Sequence, residues 1–214
     1  RAGARKVLLI SSDKAVAPAN CYGVSKAMAE QLVIAYNAVS YPRGMRSSVV
    51  RYGNVLGSRG SVLLAWRRLI AEGKPLPLSD AAMTRFWVTL PQAVDYVLAA
   101  LSDLRGGEVF VPHLPAASLT RLAEALVAAP EYVVVGVRPG GEKLHEELLS
   151  SVEAPRALRR NLFYVVPPFQ HEHMWDARPW LGDPLPAGFA YRSDTWPTQL
   201  TAAALRDLLK GAEA

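Results

Sequence analysis

Three stretches of the sequence predict an α/β fold built on a parallel sheet. Lys6–Ile10 (KVLLI) is short, apolar and β-branched toward its end, the pattern of a strand covered on both faces. From Tyr22 onward, Val24, Met28, Leu32 and Ile34 recur with Ala27, Ala35 and Ala38 at helical spacing, which predicts a helix. Ser47–Tyr52 (SSVVRY) reads as a second strand and runs into Gly53-Asn54-Val55-Leu56-Gly57-Ser58-Arg59-Gly60, where glycines let the backbone approach a ligand closely. In open sheets of this kind ligands sit at the carboxyl ends of the strands.

The first of those ends carries the densest chemistry in the chain. Ser11–Lys26 (SSDKAVAPANCYGVSK) brings a hydroxyl, a carboxylate, two amines and a phenol to one strand-to-helix crossing. Tyr22 and Lys26 lie four apart and project from one helix face. A phenol, with an unperturbed pKa of about 10, is a poor base at neutral pH, and a neighbouring ammonium favours its ionised form. Tyr22 is therefore a candidate general base toward a substrate hydroxyl, and Ser12 a candidate to hold that hydroxyl in place. A Tyr and a Lys at this spacing are common on purely structural helices. The whole constellation after a buried strand is what gives the pair a chemical meaning.

Composition narrows the class. With 214 residues, 50% of them hydrophobic, the chain can bury one substantial core or two small ones. No apolar run approaches the ~20 residues of a membrane span, and the amino end shows no signal-peptide pattern, so a cytoplasmic protein is expected, with no membrane partner. The single Cys21 excludes an internal disulfide and reads as a small packing residue. No Cys/His spacing suggests a metal; His171 and His173 are a two-apart pair without further ligands. The net charge of +5 is spread along the chain rather than gathered in a basic stripe, and Arg67-Arg68 and Arg156 with Arg159-Arg160 read as solvated faces. No nucleic-acid partner is expected.

Further along, Val62–Ala71 is expected to be helical, closing at Gly73, and Lys74–Asp80 (KPLPLSD) extended. Arg85 is the candidate phosphate ligand. Thr89, Pro91 and Gln92 form a helix start, with Val94, Val97, Leu98 and Leu101 as the expected buried stripe. Glu108–Val111 reads as a strand, and Ser118 as the cap of a helix through Val127 with Leu119, Leu122, Ala123 and Leu126 inward. Tyr132–Val137 (YVVVGV) reads as a further apolar strand, Lys143–Leu149 as a short amphipathic helix and Asn161–Val166 as a strand. Gln170–Pro186 suggests a long loop, in which aromatic packing is the simpler role for Trp175 and Trp180, as it is for Trp196 beyond it. A last helix is expected over Thr201–Leu209.

Ser11–Lys26 resembles the active site of the extended short-chain dehydrogenase/reductases, and its wording is similar to the inverting UDP-N-acetylglucosamine 4,6-dehydratase and capsular polysaccharide biosynthesis family. Asp13-Lys14 is the distinguishing pair, since sugar epimerases of that superfamily do not carry it ahead of the tyrosine. The likeness continues through Tyr52–Val62 (YGNVLGSRGSV), Met83–Leu98 (MTRFWVTLPQAVDYVL) and Arg138–Glu147 (RPGGEKLHEE).

The resemblance implies a Rossmann-like parallel sheet, of which this chain carries the second half only, with a smaller α+β substrate-binding lobe. Residues 1–60 would be the carboxyl half of an NADP-binding domain to which 88–112 return; 61–87 and 113–214 would form the lobe and a carboxyl-terminal extension. The Gly-rich opening that receives the dinucleotide is absent from the sequence, which points to a fragment or a truncated gene. By the resemblance, Tyr22, Lys26 and Val55, Leu56, Gly57, Ser58 and Arg59 would contact the cofactor, expected to be NADP rather than NAD. Asn54, Val62, Ser79, Arg85, Arg138 and Glu142 would hold a UDP-sugar. Gly140 and Gly141 both intervene before Glu142, where the family has one glycine, and the added residue threatens to turn Glu142 away.

The implied reaction begins with Tyr22 deprotonating the hydroxyl on carbon 4 as hydride passes to NADP. Lys26 lowers the phenol's pKa, Lys14 as a neutral amine removes the hydrogen on carbon 5, and a protonated Asp13 helps the hydroxyl on carbon 6 leave. The 214 residues are not expected to turn over alone, and a homo-oligomer is expected. The alternatives are a UDP-sugar 4-epimerase or retaining dehydratase, which need no Lys14, and a non-catalytic nucleotide-sugar-binding remnant.

Overall fold

The computed structural model of the chain describes residues 3–169 and 180–211. The chain divides into two compact units, Arg1–Tyr52 with Val94–His113 and Glu147–Tyr191, and Gly53–Ala93 with Leu114–Glu146 and Arg192–Ala214. The α-helices among the described residues are α1 (Cys21–Ser40), α2 (Val62–Ala71), α3 (Leu90–Asp103), α4 (Leu119–Leu126) and α5 (Ala202–Gly211). None is long and apolar enough to cross a membrane.

The first unit is built on a six-stranded sheet in the order Lys6–Ser12, Arg46–Tyr52, Val109–Pro112, Phe163–Val166, Leu158–Arg159, Asp183–Pro184. The first three strands are parallel and the remaining three add antiparallel, so the α/β class with a parallel sheet is the one the sequence predicts. Register is pinned by Leu9 opposite Val49 and Ile10 opposite Val50, and it sets Ser12 beside Tyr52 at the carboxyl edge. Val50, Phe110, Phe163 and Val165 of the sheet pack with Ala100 of α3 and with Leu104 just after it, and the Phe163 ring meets Tyr96 and Phe110 edge-on.

The second unit joins Asn54–Val55, Thr84–Val88 and Ala116–Ser118 in one small sheet, and Leu76–Leu78 with Tyr132–Val134 in another. Trp66, Leu76, Met83, Trp87, Leu122 and Leu205 fill its core. Both indoles keep a polar partner, Trp66 Nε1 donating to Pro77 O and Trp87 Nε1 to Ala117 O. Helix starts follow the expected chemistry. Thr89 and Gln92 exchange hydrogen bonds ahead of α3, and Ser118 Oγ accepts from Arg121 N at α4.

Several local expectations change. Val94 and Leu98 are exposed, whereas Val97 and Leu101 pack partly buried against the core beside the fully buried Ala100. The apolar strand at 132–137 is paired only over Tyr132–Val134, and Val134, Val135 and Val137 are exposed. No helix forms over Lys143–Leu149. Glu147–Leu149 is a strand, while Glu146 N donates to Ser193 Oγ and Leu148 O accepts from Arg51, so tertiary partners take backbone groups a helix would use. Cys21, expected as a packing residue, is exposed.

Helix α1 is inverted relative to a simple amphipathic reading. Val24, Met28, Leu32, Tyr36 and Val39 are exposed, and its buried residues are Gly23, Glu30, Asn37 and Ser40. Each polar one has a partner: Glu30 binds Arg51, Asn37 Oδ1 accepts from Ser47 N, and Ser40 Oγ donates to Asn37 O.

Candidate functional site

The strand Lys6–Ser12 ends in a single 3-10 turn, Asp13–Ala15, that emerges at the carboxyl edge of the parallel sheet. Ser12 caps it, its Oγ accepting from Lys14 N at 3.3 Å and donating to Asp13 Oδ1 at 2.8 Å. Asp13 is fully buried, and Lys14 Nζ stands 3.0 Å from the same Oδ1. Ser12, Asp13 and Lys14 thus share one hydrogen-bonded knot. The chain then passes Ala17, whose φ of 42° places a non-glycine residue in the left-handed region.

Asn20 starts α1 by accepting from Gly23 N at 2.9 Å. Gly23 is required by contact. A Cβ there would lie 2.4 Å from Lys14 O and 2.9 Å from Pro18 Cβ, so only glycine lets the Asp13–Lys14 turn rest on the first turn of α1. Tyr22, one residue earlier, presents an exposed phenol. Lys26 Nζ lies 5.8 Å from the Tyr22 ring centroid and reaches Ile10 O at 3.4 Å. Tyr52 belongs to this neighbourhood and was missed by motif reading. Its phenol is pushed above the ordinary value by burial first and by the neighbouring Tyr22 second. The signal was its register partner, Ser12.

The remaining candidates lie in the second unit. Asn54 follows Gly53, whose missing side chain admits Phe86 to within 2.6 Å of the Cβ position, and Asn54 Oδ1 is buried without a hydrogen-bond partner. Leu56 is a core side chain whose N–H donates to Val88 O, so of Val55 to Arg59 it is Gly57, Ser58 and Arg59 that are exposed. Val62 and Ser79 are half-buried.

Arg85 is buried. Its Nη1 donates to Thr84 O at 2.8 Å and Leu144 O at 3.1 Å, and its Nη2 to Met83 Sδ at 3.4 Å. Two carboxylates stand just outside hydrogen-bond distance, Glu142 at 3.7 Å and Glu146 at 3.8 Å. Three of five guanidinium donors are therefore in use. Gly140 and Gly141, with φ of 91° and 89°, form a turn closed by Gly141 N to Arg138 O, and this turn brings Glu142 back to 3.9 Å from Arg138 Nε. The exposed Arg138, Glu142 and Arg85 make one charged row.

Glu146, 3.8 Å from Arg85, and His145 and Ser193, both bonded to the neighbouring Thr84, were not singled out from sequence; Glu146 is buried and pairs with Lys143 at 2.7 Å. Trp180 stacks on the Arg105 guanidinium at 4.6 Å, while His171, His173 and Trp175 lie outside the described residues. Among the described residues no group of three His, Cys, Asp or Glu is arranged to hold a metal ion.

A parallel α/β sheet whose strand edge carries a hydroxyl, a buried carboxylate, an amine and a Tyr–Lys helix defines a Rossmann-type protein with a candidate catalytic edge. Residues 1–168 match the polysaccharide biosynthesis protein family, and the chain belongs to it. It is 36% identical over 218 residues to the UDP-N-acetylglucosamine 4,6-dehydratase (inverting) of Campylobacter jejuni, covering 99% of this chain and 65% of that protein. A UDP-glucose 4-epimerase of Rickettsia massiliae is 40% identical over 166 residues, covering 76% of this chain and 48% of its own. The X-ray structure of Pen from Bacillus thuringiensis superposes with a TM-score of 0.83 at 30% identity, over 97% of this chain and 62% of that one. The chain therefore spans less than two thirds of the length of each of these proteins.

Proposed function

We propose that this chain is the sugar-nucleotide-handling part of an NADP-dependent UDP-N-acetylglucosamine 4,6-dehydratase that inverts carbon 5. The observation that carries the reading is the knot at Asp13: a fully buried carboxylate 3.0 Å from the Lys14 amine, resting on Gly23 beside Tyr22. Elimination of water across carbons 5 and 6 needs a base and an acid. An ammonium–carboxylate pair and a neutral amine beside a carboxylic acid hold the same proton. In this reading Lys14 acts as the base and Asp13 as the acid without any change in proton count. Tyr22 takes the proton of the carbon-4 hydroxyl, with Lys26 supplying the nearby positive charge.

The exposed phenol of Tyr22 and the ammonium of the half-buried Lys26 fit the ribose end of a nicotinamide cofactor, one able to accept and the other to donate hydrogen bonds. Bound there, such a cofactor supplies reversible hydride transfer. In this reading Arg85, with unused donors, meets the diphosphate, and the orphaned Oδ1 of Asn54 meets the sugar nucleotide. The 214 residues alone bind the nucleotide without turnover, and the protein works in the cytoplasm as a homo-oligomer, a role that the outward apolar row of α1 suits.

The test has two arms. UDP-N-acetylglucosamine titrated into the chain by calorimetry should bind with one-to-one stoichiometry, and a flat titration would refute the reading. In a form extended to the length of the relatives, turnover in deuterated water should leave deuterium at carbon 5 of a 4-keto-6-deoxy product, and Lys14→Ala should abolish it. The likeness to the rickettsial 4-epimerase supports a second reading, epimerisation at carbon 4. Turnover that survives Lys14→Ala with no deuterium at carbon 5 would establish that reading instead.

A further inference from the structure

A chain of hydroxyls links a histidine to the carbonyl that holds Arg85. Thr84 Oγ1 lies 2.9 Å from His145 Nδ1 and 2.7 Å from Ser193 Oγ. Ser193 Oγ accepts from Glu146 N at 2.9 Å and can donate to Thr84 O at 3.2 Å. Thr84 O is also the acceptor for Arg85 Nη1 at 2.8 Å. Three segments far apart in sequence, around Thr84–Arg85, Leu144–Glu146 and Ser193, therefore meet around one guanidinium.

Each hydroxyl has a single proton, so the direction of the chain is set at one end. With neutral His145 carrying its proton on Nε2, toward Asp194 at 3.9 Å, Nδ1 accepts from Thr84 Oγ1. Thr84 Oγ1 then accepts from Ser193, and Thr84 O is left to Arg85. With His145 charged, Nδ1 donates to Thr84 Oγ1, that hydroxyl turns to Ser193, and the Ser193 proton turns to Thr84 O. The carbonyl is then shared between Ser193 and Arg85.

We infer that His145 is a positioning residue for Arg85, acting through the Thr84 and Ser193 hydroxyls to decide whether the Thr84 carbonyl serves the guanidinium alone. The charged groups around it are Asp194, which Arg192 holds with two hydrogen bonds, and the Glu146–Lys143 pair beside Arg85. Burial works to raise the Asp194 carboxyl, but the Arg192 hydrogen bonds and the His145 charge bring it below its usual range, so Asp194 stays ionised as the imidazole titrates. The functional consequence rests on the reading of Arg85 as the diphosphate ligand; the coupling itself does not.

The experiment follows the Arg85 Nε–Hε signal of the isotopically labelled chain by NMR, assigned by its loss in Arg85→Lys, across about pH 5 to 8, where an imidazole changes charge. The signal should move along the same titration curve as the His145 ring protons. In His145→Asn, whose amide oxygen accepts from Thr84 at every pH, it should stay at its high-pH position. A signal that ignores the His145 titration, or that moves unchanged in His145→Asn, overturns the inference. In parallel, the ratio of UDP affinities of the parent and His145→Asn should change about threefold or less between pH 8 and pH 5, since a shared carbonyl weakens the Arg85 contact without removing it. If Arg85→Lys leaves UDP affinity untouched, the phosphate role falls while the NMR titration still decides the coupling.

Discussion

Each unit buries one arginine among carboxylates, and the two are used differently. Arg51, in the first unit, fills all five donors: Nε and Nη2 to Glu30, Nη1 and Nη2 to Glu153, and Nη1 to Leu148 O. Burial would lower its pKa, but the two carboxylates more than reverse this and hold it above the ordinary guanidinium range. Arg85, in the second, spends three donors on two carbonyls and a sulfur and keeps its carboxylates at 3.7 and 3.8 Å. A saturated guanidinium is a girder, whereas one with donors left over among long ion pairs has capacity for a further acceptor. Counting donors separates the roles where burial and charge alone do not.

The largest effect should come from breaking the saturated cluster. Arg51→Ala strands Glu30 and Glu153 in the interior, and removal of one partner from a buried ion network costs about 3–5 kcal/mol. Urea unfolding followed by circular dichroism measures it, and a loss under about 1 kcal/mol would remove the distinction drawn here. Acid should attack the same cluster. Burial tends to raise the Glu153 carboxyl, but Arg51 outweighs it and brings the pKa to about 2, from an ordinary 4.5. A depressed folded-state value means that the unfolded chain binds protons first. The contribution is complete above pH 4.5, amounts to about 3 kcal/mol, and is lost as pH falls toward 2. The stability gap between the parent and Glu153→Gln should close over that window.

The same contrast explains what the sequence could and could not convey. Strands at Lys6–Ser12 and Arg46–Tyr52, helix α2 and the caps at Thr89 and Ser118 depend on local patterns, and each was legible. The Asp13-Lys14 pair and the Tyr22–Lys26 spacing were legible as motifs, because a short turn fastened by Gly23 needs few partners from elsewhere. Burial on α1 was not. Its inward face holds Glu30 and Asn37, whose partners Arg51 and Ser47 come from a neighbouring strand, so hydropathy ranks the wrong face as core. Around Arg85 the decisive groups come from 144–146 and 193–194, and only the folded chain brings Ser193 to Thr84. Lys143–Leu149 has helical spacing, yet the backbone demands of Arg51 and Ser193 hold it extended.

Arg85→Ala should sharpen the comparison from the other side, with the smallest cost in stability. Its carboxylates are not orphaned by the change, since Glu146 keeps Lys143 at 2.7 Å and Glu142 keeps Arg138 at 3.9 Å. What is lost is three hydrogen bonds and some packing, about 1–2 kcal/mol net. On the proposed role of Arg85 as the diphosphate ligand, UDP affinity should fall by more than about tenfold. Calorimetric titration and urea unfolding of the one variant measure both. A cost matching that of Arg51→Ala, with UDP binding intact, would make Arg85 a second girder.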